Sequence, residues 1–162
     1  MRWTTVTSPI GELRLSTDGT ALTGLLFAGG SDPRGERDPA HPVLAEAARE
    51  LGEYFDGTRT EFEVPLAPAG SDFERRVWTG LLAIPYGHTA TYAEIAARVG
   101  QPRAARAVGM ANSLNPIAII VPCHRVVGPN GSLTGYAAGT EVKARLLELE
   151  AGVRGRAEFK AA

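Results

Sequence analysis

The chain contains a single cysteine, Cys123, and a histidine follows it directly at position 124. A thiolate is a strong nucleophile, but a free thiol with a pKa of about 8.5 is less than about a tenth ionised near pH 7. A nucleophilic Cys123 therefore needs a general base, and His124 is the candidate. Because adjacent side chains of an extended chain point to opposite faces, we expect a bridging water to carry the proton. The alternative is that Cys123 is an inert buried side chain.

An imidazole base needs a third group that orients it, and the final predicted helix, about residues 141–151, offers two carboxylates. The buried stripe of this helix is predicted to consist of Val142, Leu146 and Leu149. With about 100° per residue, Glu148 points to the far side, whereas Glu150 lies at the edge of the stripe, about 80° from its first member. The pattern favours Glu150 as the partner of His124. The alternative is an ordinary surface charge.

Two short predicted helices precede the cysteine. Thr91 and Glu94 form a capping box for a helix that ends at Val99, before Gly100. A second helix is predicted to begin at Gln101–Pro102, with proline in its favoured first position. Two short helices joined by a tight turn are typical of a helix-turn-helix, although many helical hairpins share the pattern.

The second of these helices has two contrasting faces. Its predicted buried side consists of Ala104, Ala105, Val108 and Ala111, and the opposite side carries Arg103, Arg106, Ala107 and Met110. A solvent-exposed face more often carries glutamate and lysine. Two arginines among small residues permit close approach to a nucleic-acid duplex.

Charge is distributed unevenly along the chain. Residues 1–70 contain 11 acidic and 6 basic side chains, whereas residues 71–162 contain 7 acidic and 11 basic ones. No acidic residue occurs between Glu94 and Glu141, although four arginines do. A glycine-rich core segment would exclude charge of both signs, so the retained arginines favour a surface that meets a polyanion.

The remaining patterns predict an α+β unit followed by a mostly helical one. Alternating apolar residues predict strands near 13–15, 22–27 and 62–66, and helical spacing predicts a helix over 43–55. The segment 65–70 is typical of a linker.

Two further elements are predicted on either side of the helix pair. Ser71 opens a capping box with Glu74 for a helix that runs to about Ile84. The apolar run 117–121 predicts a buried strand that leads to the cysteine.

Composition excludes several classes of protein. With 162 residues, 44% hydrophobic and 22% charged, the chain has room for one ordinary domain or two small ones. No apolar run approaches the roughly 20 residues of a membrane helix, and the N-terminus lacks a secretory pattern, so we expect a cytoplasmic protein. One cysteine and three scattered histidines predict no metal site.

Three sequence elements occur in a specific order and spacing: Arg106–Gly109, Asn115–Pro116 and Pro122–Val126. On these residues the sequence resembles the O6-alkylguanine-DNA alkyltransferase family, the methylated-DNA–protein-cysteine methyltransferases. The resemblance covers nearly the whole chain and is most specific over 71–152. It implies a ribonuclease-H-like N-terminal domain, residues 1–68, and a DNA-binding domain with a helix-turn-helix, residues 69–162.

The resemblance also implies an activity. Family members move an alkyl group from O6 of guanine, and in some cases from O4 of thymine, to the cysteine, once per molecule. They bind double-stranded DNA through the minor groove and flip the damaged base out of the stack. They act without a cofactor, and the zinc ligands of some eukaryotic members are missing here. We expect a monomer in solution, with clustering on DNA as an open alternative.

Roles for individual residues follow from the same resemblance. The catalytic set consists of Cys123, His124, Glu150, Asn115, which braces the turn near the cysteine, and Tyr136, which lies beside the alkyl group. The set that contacts DNA or the alkylguanine consists of Tyr92, Arg106, which fills the vacated stack position, Ala107, Gln101, the Val126 carbonyl and the Ala137 N–H group.

Taken singly, several of these residues have simpler explanations. Asn-Pro is usually only a turn, and either tyrosine could be a packed aromatic side chain. The sequence also departs from the family at Ala137–Ala138–Gly139, where a small residue, often serine, is commonly followed by two glycines. This departure predicts a narrower pocket or a different preference among alkyl groups.

Three other functions stay open at this stage. A damage-recognition protein related to the family usually has tryptophan in place of the cysteine, which is present here. A cysteine hydrolase would turn over repeatedly, but adjacent Cys and His give it poor geometry. A helix-turn-helix transcription factor would need a dimer, which nothing in the sequence suggests.

Overall fold

The computed structural model describes residues 1–27, 33–136 and 138–161, with side chains through Arg156. The chain divides into two compact units. One consists of Met1–Ala69 with Pro116–Ala118, and the other of Gly70–Asn115 with Ile119–Ala162. A sheet dominates the first unit and helices the second, so the predicted α+β class is confirmed. Within the described residues, no helix is long and apolar enough to cross a membrane.

The first unit contains a four-stranded sheet in the order β3-β2-β1-β4. Its strands are β1 Arg2–Ser8, β2 Gly11–Thr17, β3 Leu22–Phe27 and β4 Glu36–Arg37. The first three are antiparallel neighbours, and β4 pairs with β1 in parallel. Leu13 and Leu15 alternate with polar residues and are fully buried, as their spacing predicts. The predicted turn at Asp18–Gly19 is present, with Gly19 at a φ of 105°.

Helix α1, Pro42–Phe55, is the helix predicted for this unit. His41 caps it, since its Nδ1 accepts a hydrogen bond from the Val43 N–H. The helix has one apolar face, and its fully or nearly fully buried residues are Leu44, Ala47, Glu50, Leu51 and Tyr54. Because Glu50 is buried within this face, its carboxylate is expected to have a specific hydrogen-bond partner.

The predicted strand over 62–66 is wrong, and Glu50 explains why. Only Leu66 forms a β-bridge, to Leu22. The N–H groups of Glu63 and Val64 instead donate to Glu50 Oε1, at 2.7 and 3.3 Å. A side chain from α1 therefore satisfies the backbone groups that a ladder would have used.

In the residues that the structure describes, the second unit is built on four α-helices. They are α2 Asp72–Leu82, α3 Tyr92–Arg98, α4 Ala105–Ser113 and α5 Thr140–Ala161. Two-residue strands, β5 Ala90–Thr91 and β6 Val126–Val127, pair in parallel. The capping box at Ser71 and Glu74 is complete, as predicted. At α3 the Thr91 hydroxyl accepts from the Glu94 N–H, but the Glu94 carboxylate meets that hydroxyl and not the backbone.

Helix α4 begins later than predicted. It begins at Ala105, and Gln101–Ala104 form a turn in which the Ala104 N–H donates to the Gln101 carbonyl. The preceding Gly100, at a φ of 80°, reverses the chain after α3. Because the helix begins only at Ala105, Arg103 lies in the preceding turn and not on the outward face of α4 as predicted.

The apolar run 117–121 is buried but is not a strand. Ile119 has a φ of 71°, which a β-branched residue rarely adopts. Pairing is limited to one bridge in the first unit, where the Leu25 N–H donates to the Pro116 carbonyl and the Ala118 N–H to the Leu25 carbonyl. The chain turns sharply after this bridge, which is why continuous burial here does not mark a strand.

Candidate active site

Cys123 lies in a 3₁₀ turn, Cys123–Arg125, and not in the extended segment that the sequence suggests. Its three residues are buried: Cys123 is 5% exposed, His124 0% and Arg125 7%. Two asparagine amides hold the turn. Asn115 Nδ2 donates to the Val121 carbonyl at 2.8 Å, and Asn112 Nδ2 donates to the Cys123 carbonyl at 3.3 Å. Asn112 belongs to α4, so this amide couples that helix directly to the cysteine backbone.

Burial raises the pKa of the Cys123 thiol, and hydrogen bonds from Asn115 and Tyr136 to the sulfur oppose that rise. The net direction is upward, so the thiol is protonated at rest near neutral pH. Tyr136 is itself affected, since burial and the neighbouring sulfur raise the pKa of its hydroxyl. A nucleophilic sulfur at this position needs a base that removes its proton.

His124, Glu150 and Arg125 form a buried cluster. His124 Nε2 lies 2.7 Å from Glu150 Oε2. Arg125 approaches the same carboxylate through Nε, 2.7 Å from Oε1, and Nη2, 3.1 Å from Oε2, while its Nη1 donates to the Ile84 carbonyl. One carboxylate is thus shared between an imidazole and a guanidinium.

The charges in this cluster follow from its geometry. Burial would raise the pKa of Glu150, but the hydrogen bonds from His124 and Arg125, together with the guanidinium charge, outweigh burial and lower it to about 2. Burial lowers the pKa of His124, in spite of the carboxylate. The Arg125 guanidinium already neutralises the charge of the Glu150 carboxylate. Protonation of His124 would therefore gain little stabilisation from this carboxylate, so His124 is neutral.

A neutral His124 beside an ionised Glu150 has one sensible tautomer. The carboxylate can only accept, so Nε2 carries the hydrogen and donates it to Glu150. The Nδ1 lone pair then stays available. Nδ1 is buried and has no hydrogen-bond partner among the described residues. This nitrogen is the atom that can take a proton from a neighbouring thiol.

Lys143 is a residue that the sequence reasoning missed. Its side chain is fully buried on α5, and Nζ donates to the Thr134 carbonyl at 2.9 Å. Burial lowers the pKa of Lys143, and the Cys123 thiolate opposes that shift. In return the ammonium charge favours the ionised form of Cys123.

The buried stripe of α5 differs from the predicted one. It consists of Lys143, Leu146, Glu150 and Val153. The stripe is rotated by one residue, so Glu150 lies at its centre and not at its edge. The sequence contained a signal for this stripe, because its four positions have the spacing of one helix face. It was overlooked because a lysine and a glutamate are rarely buried.

The outer part of the site connects Tyr92 with the segment before Tyr136. Thr134 Oγ1 donates to the Tyr92 hydroxyl at 3.3 Å. On α4, Gly109 lies below the Tyr92 ring, where a Cβ atom would meet Cδ1 at 3.8 Å. Arg106 and Ala107 are exposed on the outward face of the same helix. Among the residues described, Arg106 has no hydrogen-bond or ion-pair partner.

Comparison with known proteins assigns this arrangement to a family. Residues 72–152 match the family model for the 6-O-methylguanine DNA methyltransferase, DNA binding domain. Residues 1–68 match the ribonuclease-like domain of the same proteins. The chain belongs to the 6-O-methylguanine DNA methyltransferase family.

Individual relatives agree with this assignment. A methylated-DNA–protein-cysteine methyltransferase of Mycobacterium tuberculosis H37Rv is 50% identical over 152 residues, 93% of this chain and 92% of the relative. One of Methanosarcina acetivorans is 49% identical over 146 residues, 88% and 94% of the two chains.

Solved structures of the family have the same fold. The crystal structure of Mycobacterium tuberculosis OGT in complex with DNA has a TM-score of 0.89 and 49% identity, over 94% of both chains. An O6-methylguanine DNA methyltransferase of Methanococcus jannaschii has a TM-score of 0.66 and 26% identity, over 91% of this chain and 93% of that one.

The catalytic residues predicted by family resemblance lie together. Cys123, Asn115 and Tyr136 meet at the sulfur, and His124 joins Glu150. The predicted DNA-contacting residues lie on several different elements. Gln101 lies in the turn before α4, and Val126 is fully buried in β6. Ala137 lies outside the described residues. In the described part of the chain, no cluster of three or more His, Cys, Asp and Glu side chains could hold a metal ion.

Proposed function

We propose that this protein repairs DNA by moving an alkyl group from O6 of guanine to Cys123, once per molecule. The observation that carries the proposal is the buried thiol with its hydrogen-bonding partners Asn115 and Tyr136, next in sequence to a neutral histidine with Nδ1 available. Asn112 adds a link from this turn to α4. The family assignment supports the same chemistry.

The reaction is a displacement at saturated carbon. His124 Nδ1 takes the thiol proton through one water, and the sulfur forms a bond to the alkyl carbon as the bond from carbon to O6 breaks. The released guanine takes up one proton and His124 loses one, so charge and atoms balance. Glu150 stabilises the imidazolium that exists between these steps. The product thioether has no leaving group for water to displace, which limits each molecule to one turnover.

The burial of Cys123 sets a condition on the substrate. The sulfur of a residue that is only 5% exposed cannot reach a base inside the helical stack. The damaged nucleotide must therefore leave the duplex, at a cost of a few kcal/mol. Arg106, exposed and without a partner in the described structure, fills the gap, and the Tyr92 hydroxyl and the Val126 carbonyl bind the extruded base.

The DNA-binding element is the pair α3 and α4, a helix-turn-helix whose second helix meets the minor groove. Gln101, in the turn before α4, and Ala107, on its first turn, contact the sugar-phosphate backbone of the DNA. The absence of acidic residues between Glu94 and Glu141 supports this assignment. A cytoplasmic location, a monomeric state and clustering on DNA stay predictions.

Intact-protein mass spectrometry tests the proposal. The protein is incubated with a duplex that contains one O6-methylguanine, at several molar ratios. We expect one methyl group per protein, located on Cys123 by peptide mapping, and none in Cys123→Ala. Transfer must stop at one equivalent. Repeated turnover, or tight DNA binding with an unmodified cysteine, would contradict the proposal.

A further inference from the structure

Thr134 connects two helices of the second unit. Its backbone carbonyl accepts a hydrogen bond from Lys143 Nζ of α5 at 2.9 Å, and its hydroxyl donates to the hydroxyl of Tyr92, the first residue of α3, at 3.3 Å. Its methyl group lies against Gly128, where a Cβ atom would be 3.4 Å away. Three groups of Thr134 are thus held by neighbours, although the segment 132–136 is neither helix nor strand.

Lys143 gives the backbone of Thr134 a fixed position. The lysine side chain is fully buried, and a buried ammonium group needs hydrogen-bond acceptors because it has lost those of water. The Thr134 carbonyl is such an acceptor. A segment without regular secondary structure is therefore anchored to α5 at this residue, and the Thr134 hydroxyl starts from a defined point.

The Tyr92 side chain is held at both ends. Gly109 lies below its ring, where a Cβ atom would meet Cδ1 at 3.8 Å, and Thr134 contacts its hydroxyl. A hydroxyl has one hydrogen to donate and two lone pairs that accept. Because Thr134 supplies the hydrogen of this contact, it uses a lone pair of the Tyr92 oxygen and leaves the phenolic hydrogen for another acceptor.

We propose that Thr134 is a positioning residue, whose hydroxyl directs the Tyr92 O–H group towards the extruded guanine. The inference rests on the proposed function, in which the Tyr92 hydroxyl binds that base. Guanine gains negative charge as the bond from the alkyl carbon to O6 breaks, and a hydrogen-bond donor stabilises this charge. Donation from Thr134 also polarises the Tyr92 O–H group, because hydrogen bonds in a chain strengthen one another.

Single-turnover kinetics test the role of the Thr134 hydroxyl. Protein in excess reacts with a duplex that contains one O6-methylguanine, and mass spectrometry follows the transfer at several protein concentrations. Thr134→Val replaces the hydroxyl by a methyl group of similar size, and Thr134→Ala is a second variant without it. We expect both to lower the maximal rate by about three- to tenfold, the effect of one hydrogen bond, with the half-saturating concentration unchanged. Thr134→Ser keeps the hydroxyl and should stay close to the wild-type rate.

A double-mutant cycle shows whether Thr134 acts through Tyr92. Tyr92→Phe removes the phenolic hydroxyl, so Thr134→Val should have no further effect in that background. Ser132→Ala is the matched control, because its exposed hydroxyl belongs to the same segment and donates to the Pro129 carbonyl at 3.2 Å. This control should react like the wild type. Thermal unfolding checks that all variants are folded.

The outcomes separate this inference from the proposed function. If the wild-type protein transfers no alkyl group to Cys123, the proposed function fails. If it does, the inference is overturned when Thr134→Val and Thr134→Ala react like the wild type, or when Thr134→Ser is as slow as they are. An equal effect of Thr134→Val in the wild-type and Tyr92→Phe backgrounds would also overturn it, since the hydroxyl would then act on something other than Tyr92.

Discussion

Replacement of Glu150 by glutamine changes one buried carboxylate into an amide of nearly the same shape. Glu150 is 1% exposed and receives hydrogen bonds from His124 and from two nitrogens of Arg125. In the variant the guanidinium is buried without a counter-charge. His124 also loses the acceptor that holds its Nε2 hydrogen, so both stability and alkyl transfer should decrease.

The structure gives the size of the stability change. The pKa of Glu150 is lowered from 4.5 to about 2, because the contacts with His124 and Arg125 outweigh the effect of burial. This shift corresponds to about 3 kcal/mol of folding free energy. Removal of one partner of a buried ion pair typically costs about 3–5 kcal/mol, which agrees. We therefore expect Glu150→Gln to lose about 3 kcal/mol at pH 7.

The same shift in the pKa of Glu150 determines how the stabilisation by this carboxylate changes with pH. The folded-state pKa lies below the unfolded one, so the stabilisation is fully present above about pH 4.5 and is lost as the pH falls towards 2. Glutamine does not titrate. The difference in unfolding free energy between wild type and variant should therefore shrink over this interval, while contributions from all other carboxylates cancel.

Urea denaturation at pH 7, 5, 4 and 3.5, with linear extrapolation to zero denaturant at each pH, measures this difference, and mass spectrometry measures the transfer rate at pH 7. Glu148→Gln is the matched control, since Glu148 is exposed on the same helix. Equal stability of Glu150→Gln and wild type at pH 7, or a difference that does not change with pH, would refute the assignment of Glu150 as the ionised partner of His124 and Arg125.

Three further predictions concern other residues. Lys143→Met removes a buried ammonium that favours the Cys123 thiolate, so the pH profile of the reaction with O6-benzylguanine should move to higher pH without loss of folding; an unchanged profile would exclude an electrostatic role. Burial and the Glu46 carboxylate raise the pKa of Glu50, so the stability that this carboxyl provides is lost as pH rises through that raised pKa. Glu50→Gln should therefore increase the stability of the protein at pH 7 and reduce the dependence of that stability on pH. Urea denaturation at pH 5 and 7 measures both effects. Ser71→Ala breaks the α2 capping box and should cost about 1 kcal/mol in thermal unfolding, whereas Ser71→Asp should retain most of it.

Local patterns in the sequence were sufficient for α1, α2 and α3 and for the reactive pair. Capping residues and apolar spacing located α1, α2 and α3 within a few residues, because those signals arise inside each helix. Cys123 and His124 were found because their residue types limit the chemistry. The helical position of Glu150 was enough to select it over Glu148.

Other features depended on partners that are distant in sequence. The segment 62–66 has the alternation of a strand, but Glu50 takes its N–H groups. The apolar run 117–121 is buried, yet the positive φ of Ile119 breaks it. No local pattern contains these contacts, so propensity alone predicted regular structure in both places.

The sequence by itself determined which atoms could react, since it contains one thiol and places one imidazole beside it. Only the tertiary structure decided their protonation. Arg125 compensates Glu150, which leaves His124 neutral, and Lys143 is buried where its charge acts on the sulfur. A pKa depends on burial and on charges brought close by folding, and no sequence spacing records either of them.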